Sequence, residues 1–310
     1  MKPNRDAPVL LAILAILLLA ALLPLAATEY WIGVGISLAM WIALTQSWAV
    51  LSALSGYISL GHVVFYGLGS YVVVATWESL PLAASLPLAA CAAAFFAFAI
   101  GLPVLRVRGP YFVILSLGVA ELVKYVLIAV EAAQGNASRL ILGAPDLATI
   151  YYLLLGLAAL ATLLAGATRM MRLGHGLRAI RENEEAAETL GVPVTRYKLT
   201  AFVLSAAIPG AVGGVMALRS TYFEPAQVFD PMISFSMIAM VIIGGGDDLR
   251  GPVIGAVLLS LISEFLWASA PQLYMIILGA LLCAFVLFVP QGICGICGRL
   301  PQPGPGPRPT

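Results

Sequence analysis

Apolar runs of about twenty residues, separated by short polar or Pro/Gly-rich stretches, recur along almost the whole chain. Coiled as a helix rising ~1.5 Å per residue, such a run matches the ~30 Å hydrocarbon core of a bilayer. The pattern predicts ten membrane spans, near residues 8–27, 30–53, 57–77, 82–103, 111–131, 147–167, 199–219, 231–246, 251–269 and 271–290. The first run follows Lys2 and Arg5 and ends in small residues, as a cleaved secretory signal does. Its apolar stretch from Val9 to Ala27 exceeds the ~7–15 residues of a signal core, so it is read as an uncleaved span.

Glycine and proline interrupt the pattern around Gly56 to Gly69 and around Gly244 to Gly255. Broken backbone at membrane depth persists only where protein or a water-filled cavity satisfies its polar groups, which makes each region a candidate pathway lining. Close helix packing is the alternative, since Gly251 and Gly255 have the small-xxx-small spacing that lets two helices approach.

Composition agrees with the spans. Hydrophobic residues make up 61% and charged ones 10%, which excludes an ordinary soluble protein and predicts an all-α, polytopic membrane fold. A net charge of +1 without a basic face argues against nucleic-acid binding. Sidedness follows from where the cations fall. With the N-terminus in the cytoplasm, thirteen of the sixteen Lys/Arg lie inside: Lys2, Arg5, Arg106, Arg108, Arg169, Arg172, Arg178, Arg181, Arg196, Lys198, Arg250, Arg299 and Arg308. Arg139 and Arg219 fall outside, and Lys124 within a span, so an even span count with both termini cytoplasmic satisfies the positive-inside rule. Residues 1–298 then form one transmembrane domain, and 299–310 a Pro/Gly-rich tail of disordered composition.

One long polar loop stands out. Residues 169–198 carry ten of the thirty-one charged side chains. Leu177, Ile180, Ala187 and Leu190 are spaced for one face of a short amphipathic helix, and Glu182, Glu184, Glu185 and Glu188 line the rest, placing Glu184 toward solvent. Gly191 and Pro193 supply the stop. Such a helix suits docking into a partner's groove; lying flat on anionic lipid is the alternative, which four clustered glutamates disfavour.

Within this loop Glu185-Ala186-Ala187 followed by Gly191 resembles the E-A-A-x-x-x-G signature of bacterial ABC importer permeases. Gly56-Tyr57-Ile58-Ser59-Leu60-Gly61-His62, Leu105-Arg106-Val107-Arg108-Gly109-Pro110, Arg178-Ala179-Ile180-Arg181-Glu182-Asn183 and Gly251-Pro252-Val253-Ile254-Gly255 sharpen the likeness. Together they resemble the branched-chain amino acid permease family, in particular the subunit type conventionally lettered M, from about Ser37 to Gly292. The resemblance implies an ABC importer permease architecture in the bacterial inner membrane. It also implies a second homologous permease subunit, two cytoplasmic ATPase subunits that bind the ATP and Mg, and a periplasmic substrate-binding protein, with no cofactor on this chain. Leu177, Ile180, Arg181, Glu185, Ala186, Ala187, Leu190 and Gly191 would form the contact with the ATPase. One departure is Gly246-Asp247-Asp248-Leu249-Arg250, charged where the family more often has uncharged polar residues.

Enzymatic motifs are missing. None of the three lysines follows a glycine, so a G-x-x-x-x-G-K-[S/T] phosphate cradle is excluded. No nucleophile elbow or H-E-x-x-H occurs, and the Cys294/Cys297 pair lacks further ligands at zinc spacing. Candidate pathway residues are Ser59, Gly61 and His62 at the first interruption, and Glu121 with Lys124, three residues apart on one helix face. Each has a structural alternative: a histidine bonded to backbone at a break, and a neutralising pair that only supports packing. Two other transport readings stay open, a urea or short-amide importer permease and an ion-coupled secondary transporter.

Overall fold

The computed structural model describes residues 6–135, 139–141, 143–220, 222–269, 279 and 292–297. Lys2, Arg5, all of the expected span at 271–290 except Gly279, Arg299, Arg308 and the expected tail at 299–310 lie outside the described residues.

The fold is helical. Helix α1 (Asp6–Ala20) gives way to the single turn α2 (Leu23–Ala26), which has proline at its start. There follow α3 (Glu29–Ser55), α4 (His62–Thr76), α5 (Leu82–Val104) and α6 (Pro110–Ala133), the last opening on a proline whose missing N–H costs nothing at that position. Next come α7 (Leu147–Met170), α8 (Arg172–Glu182), α9 (Glu184–Thr189) and α10 (Val194–Ala217). The last elements are α11 (Pro225–Val228), α12 (Pro231–Gly244), α13 (Arg250–Ser269) and α14 (Gly292–Cys297). Two-residue strands β1 (Arg139–Leu140) and β2 (Tyr222–Phe223) pair antiparallel.

Seven stretches among the described residues are helical, apolar and long enough to cross a membrane, so the polytopic all-α expectation holds; the tenth expected span lies almost wholly outside them, and the count of ten is not confirmed. The third expected span, 57–77, differs: its first residues have no regular secondary structure and only the 15-residue α4 is helical.

Helix α3 is the centre of the bundle, with 72% of its apolar window buried, against 17% for α1–α2 and for α6, which face outward. Glycines set how closely its neighbours pack. A Cβ on Gly69 of α4 would overlap the Gly210 carbonyl of α10, and one on Gly213 would overlap the Tyr66 carbonyl, so these two helices touch backbone to backbone. Gly251 and Gly255 of α13 likewise press on the carbonyls of Gly245 and Met240. The second glycine-rich interruption is therefore a tight turn, 245–249, between two closely packed helices, rather than a broken span.

The opposite end of the bundle is braced by Arg139, which donates to both oxygens of the buried Glu131 at 2.6 and 3.0 Å and tethers the β1–β2 ladder to α6.

Candidate coupling site

The 169–198 loop folds as two helices, not one. After α8, Asn183 turns extended at φ −158° and ψ 111°, and its Oδ1 accepts the Ala186 N–H at 3.0 Å, capping α9. An asparagine that satisfies one of the orphan amides of a new helix competes well against continuing the old one. Helix α9 ends in a Schellman motif: Val192 N–H donates to the Ala187 carbonyl at 3.0 Å and Gly191 N–H to the Glu188 carbonyl at 2.9 Å, with Gly191 at φ +83°. The expected glycine stop is thus in place.

The two helices present a different face from the expected one. Leu177, Ile180 and Ala187 are buried within the chain itself, in a cluster with Leu51, Leu54, Phe65 and Phe202, and leave no apolar face for a partner's groove. The helical spacing was sound, but the bundle end, not a partner, covers that face. Leu190 is 83% exposed, and Glu185, Ala186 and Gly191 are exposed beside it. Arg181 lies between, donating through Nη1 to the Ala53 carbonyl at 2.9 Å and forming an ion pair with Asp247.

Glu184 overturns its expected solvent placement. With 14% of its side chain exposed, it accepts from Lys198 Nζ at 2.8 Å and from the Tyr57 hydroxyl, and Arg108 approaches at 3.4 Å. Lys198 is buried and also donates to the Tyr57 oxygen at 3.0 Å and to the Leu105 carbonyl at 3.2 Å. Burial alone would raise the Glu184 carboxyl pKa, but the Lys198 and Tyr57 hydrogen bonds outweigh it and hold the group below its ordinary value. Glu184 and Lys198 together thereby join α9, the N-terminal part of α10, the residue capping α5 and the chain following α3.

That chain is the first glycine interruption. Helix α3 ends at Gly56 (φ +77°), packed on Arg181, and residues 56–61 run without regular secondary structure to the start of α4. Side chains satisfy the exposed backbone. Trp48 Nε1 donates to the Ser59 carbonyl at 2.8 Å, Leu60 N–H to Ser116 Oγ at 3.1 Å, and Val63 N–H to Ser234 Oγ at 3.1 Å. Ser205 Oγ donates to the Phe202 carbonyl at 2.9 Å and so accepts from His62 Nε2–H at 3.1 Å. His62 is fully buried, edge-on to Phe65 and Phe202, with Nδ1 left as an acceptor that none of the described residues pairs. Among the described residues the Ser59 hydroxyl and Gln46 Oε1 have no partner either.

The structure brings Ser59, Gly61 and His62 together. Glu121 and Lys124 pair with each other at 3.5 Å, partly exposed on α6, and are not bonded to the break. Sequence reasoning missed Tyr57, Lys198, Asn183 and Asp247 as members of one site. Only Asn183, an Asn before two glutamates, carried a local signal of its role.

A sequence profile described as "Branched-chain amino acid transport system / permease component" matches residues 31–286. The chain is 28% identical to the high-affinity branched-chain amino acid transport system permease protein LivM of Salmonella typhimurium, over 91% of this chain and 74% of the relative. The LivM of Escherichia coli K12 gives the same figures. An L-arabinose transport system permease protein, AraH of E. coli K12, is 36% identical over 26% of this chain and 24% of its own length. No solved structure gives a significant match.

Proposed function

Because this chain belongs to the branched-chain amino acid transport system permease family, we propose that it is the membrane subunit of an ATP-driven, binding-protein-dependent importer of branched-chain amino acids. It works by alternating access between the two sides of the inner membrane. ATP and Mg sit on two partner ATPases, a second permease subunit completes the pathway, and a periplasmic binding protein delivers the solute. The chain itself is a transport component and not an enzyme. With both termini cytoplasmic, the end that carries α8, α9, Arg106, Arg108, Arg172, Arg178, Arg196 and Arg250 faces the ATPases, as the positive-inside rule requires.

The observation that carries this reading is the Glu184 network. A displacement of α9 pulls on Tyr57, and hence on the irregular 56–61 segment, and on Lys198 near the head of α10. Helix α10 rests directly on α4 at Gly69, Gly210 and Gly213, so both connections converge on the helix that begins at the break. Two discrete arrangements of such a packed pair are what alternating access needs. On α8 and α9 the exposed Glu185, Ala186, Leu190 and Gly191, with Arg181 beside them, form the ATPase contact. Leu177, Ile180 and Ala187 anchor it from beneath.

Expression with candidate ATPase subunits tests the proposal. Stable copurification of ATPase polypeptides and leucine uptake into liposomes that requires ATP and the loaded binding protein are expected. Solute transport by this chain alone, driven by an ion gradient, would overturn it.

A further inference from the structure

The turn between α12 and α13 carries Gly246-Asp247-Asp248, and two cavities meet there. The inner one, about 330 Å³, is walled by Trp48, Ile58, Val241 and Ile242 with Gly56 and Gly245. The outer one, about 310 Å³, reaches Arg178 and Glu182. Arg181, Asp247, Ala53 and Gly246 line both, so the Arg181–Asp247 ion pair stands at their boundary.

We propose that this boundary is a weak binding site for a free aliphatic α-amino acid at the loop-side mouth of the permease. The Arg181 guanidinium takes the carboxylate, Asp247 takes the ammonium group, and the inner cavity takes the side chain. The inference rests on the amino-acid importer reading and adds a place and a chemistry to it.

Three features carry it. A zwitterion needs one fixed cation and one fixed anion, and replacing the Arg181–Asp247 pair by two pairs to the ligand leaves no charge uncompensated. Breaking the existing pair is easy, because 41% of the Arg181 and 79% of the Asp247 side chain are exposed. The frame around the pair nevertheless stays put. Buried Arg169 donates to the carbonyls of Asp247 and Gly246, each at 2.8 Å, and so fixes the turn's backbone while the Asp247 side chain remains open. The inner walls suit the rest of the ligand. Ile58, Val241 and Ile242 are branched aliphatics, and the Trp48 N–H is already spent on the Ser59 carbonyl, which leaves the indole ring as an apolar surface.

The test uses the assembled transporter in nanodiscs, with the native cysteines replaced by serine and a reporter cysteine at Ile58, which is 43% exposed. Millimolar L-leucine should slow maleimide labelling of Ile58→Cys severalfold. Isocaproate, which lacks the ammonium group, and isoamylamine, which lacks the carboxylate, should not. Asp247→Asn should abolish the protection by leucine while the thermal midpoint stays put, and Arg181→Gln should abolish it as well. Should Arg181→Gln fail to assemble, the exposed Asp247→Asn decides alone. Leucine uptake by the assembly without any protection by leucine, or equal protection by isocaproate, would overturn the site and leave the importer standing. Uptake of a different solute class with no uptake of leucine would instead overturn the importer's assigned substrate.

Discussion

The Glu184 carboxylate at the start of α9 accepts a hydrogen bond from the Tyr57 hydroxyl in the irregular segment after α3, 127 residues earlier in the chain. Lys198 completes the triangle by donating to both. A loop already packed on the bundle through Leu177, Ile180 and Ala187 is thereby also bonded to the irregular segment between α3 and α4.

Removing one member of the triangle should hurt more than removing two. Glu184→Ala leaves Lys198 buried opposite no carboxylate, an arrangement that costs about 3–5 kcal/mol. The double variant Glu184→Ala/Lys198→Met removes both charges and should recover part of that loss. Denaturant unfolding of the purified protein measures the cycle; additive losses would show the pair to be uncoupled.

Acid should release α9. Because the folded carboxyl of Glu184 has its pKa lowered, its contribution is fully present above the ordinary value of ~4.3 and is lost as pH falls through the lower folded value. A spin label at position 190 should stay constrained at neutral pH and gain mobility only below that ordinary value. In Glu184→Gln the acid transition should vanish. A mobility change centred near neutrality would assign the control to another group.

Glycine substitutions separate close packing from open positions. Gly69→Ala and Gly255→Ala force apart helices in backbone contact and should destabilise the protein by at least about 1–3 kcal/mol. Gly118→Ala and Gly156→Ala, in the interiors of α6 and α7 with nothing within 4 Å of the added methyl group, should be neutral or stabilising by about 0.5–1 kcal/mol. Thermal unfolding in detergent ranks the four, and a tolerated Gly69→Ala would contradict the packing.

What the sequence made legible were features with a period or a fixed local chemistry. Twenty-residue apolar runs gave the spans, and Gly191 gave the end of α9. The pairing of Gly251 with Gly255 gave a close approach, although only the fold told packing from a broken span. The interior of the site stayed hidden because it depends on long-range neighbours. Glu184 read as solvent-facing on a continuous helix, but Asn183 resets the helical phase, and Lys198, 14 residues on, turns the carboxylate inward. Leu177, Ile180 and Ala187 read as a docking face because periodicity reports that a face is covered, not what covers it.

The measurement closest to the central claim compares Leu190→Glu with the unaltered chain in the complete, liposome-reconstituted transporter. Leu190 is the most exposed large apolar residue of the loop and supports nothing beneath it, so its replacement should leave the unfolding midpoint unchanged. The account predicts that ATPase subunits no longer copurify, or that they remain but ATP-dependent leucine uptake is lost. Full ATPase association with undiminished uptake in Leu190→Glu would contradict the assignment of α8 and α9 as the coupling surface.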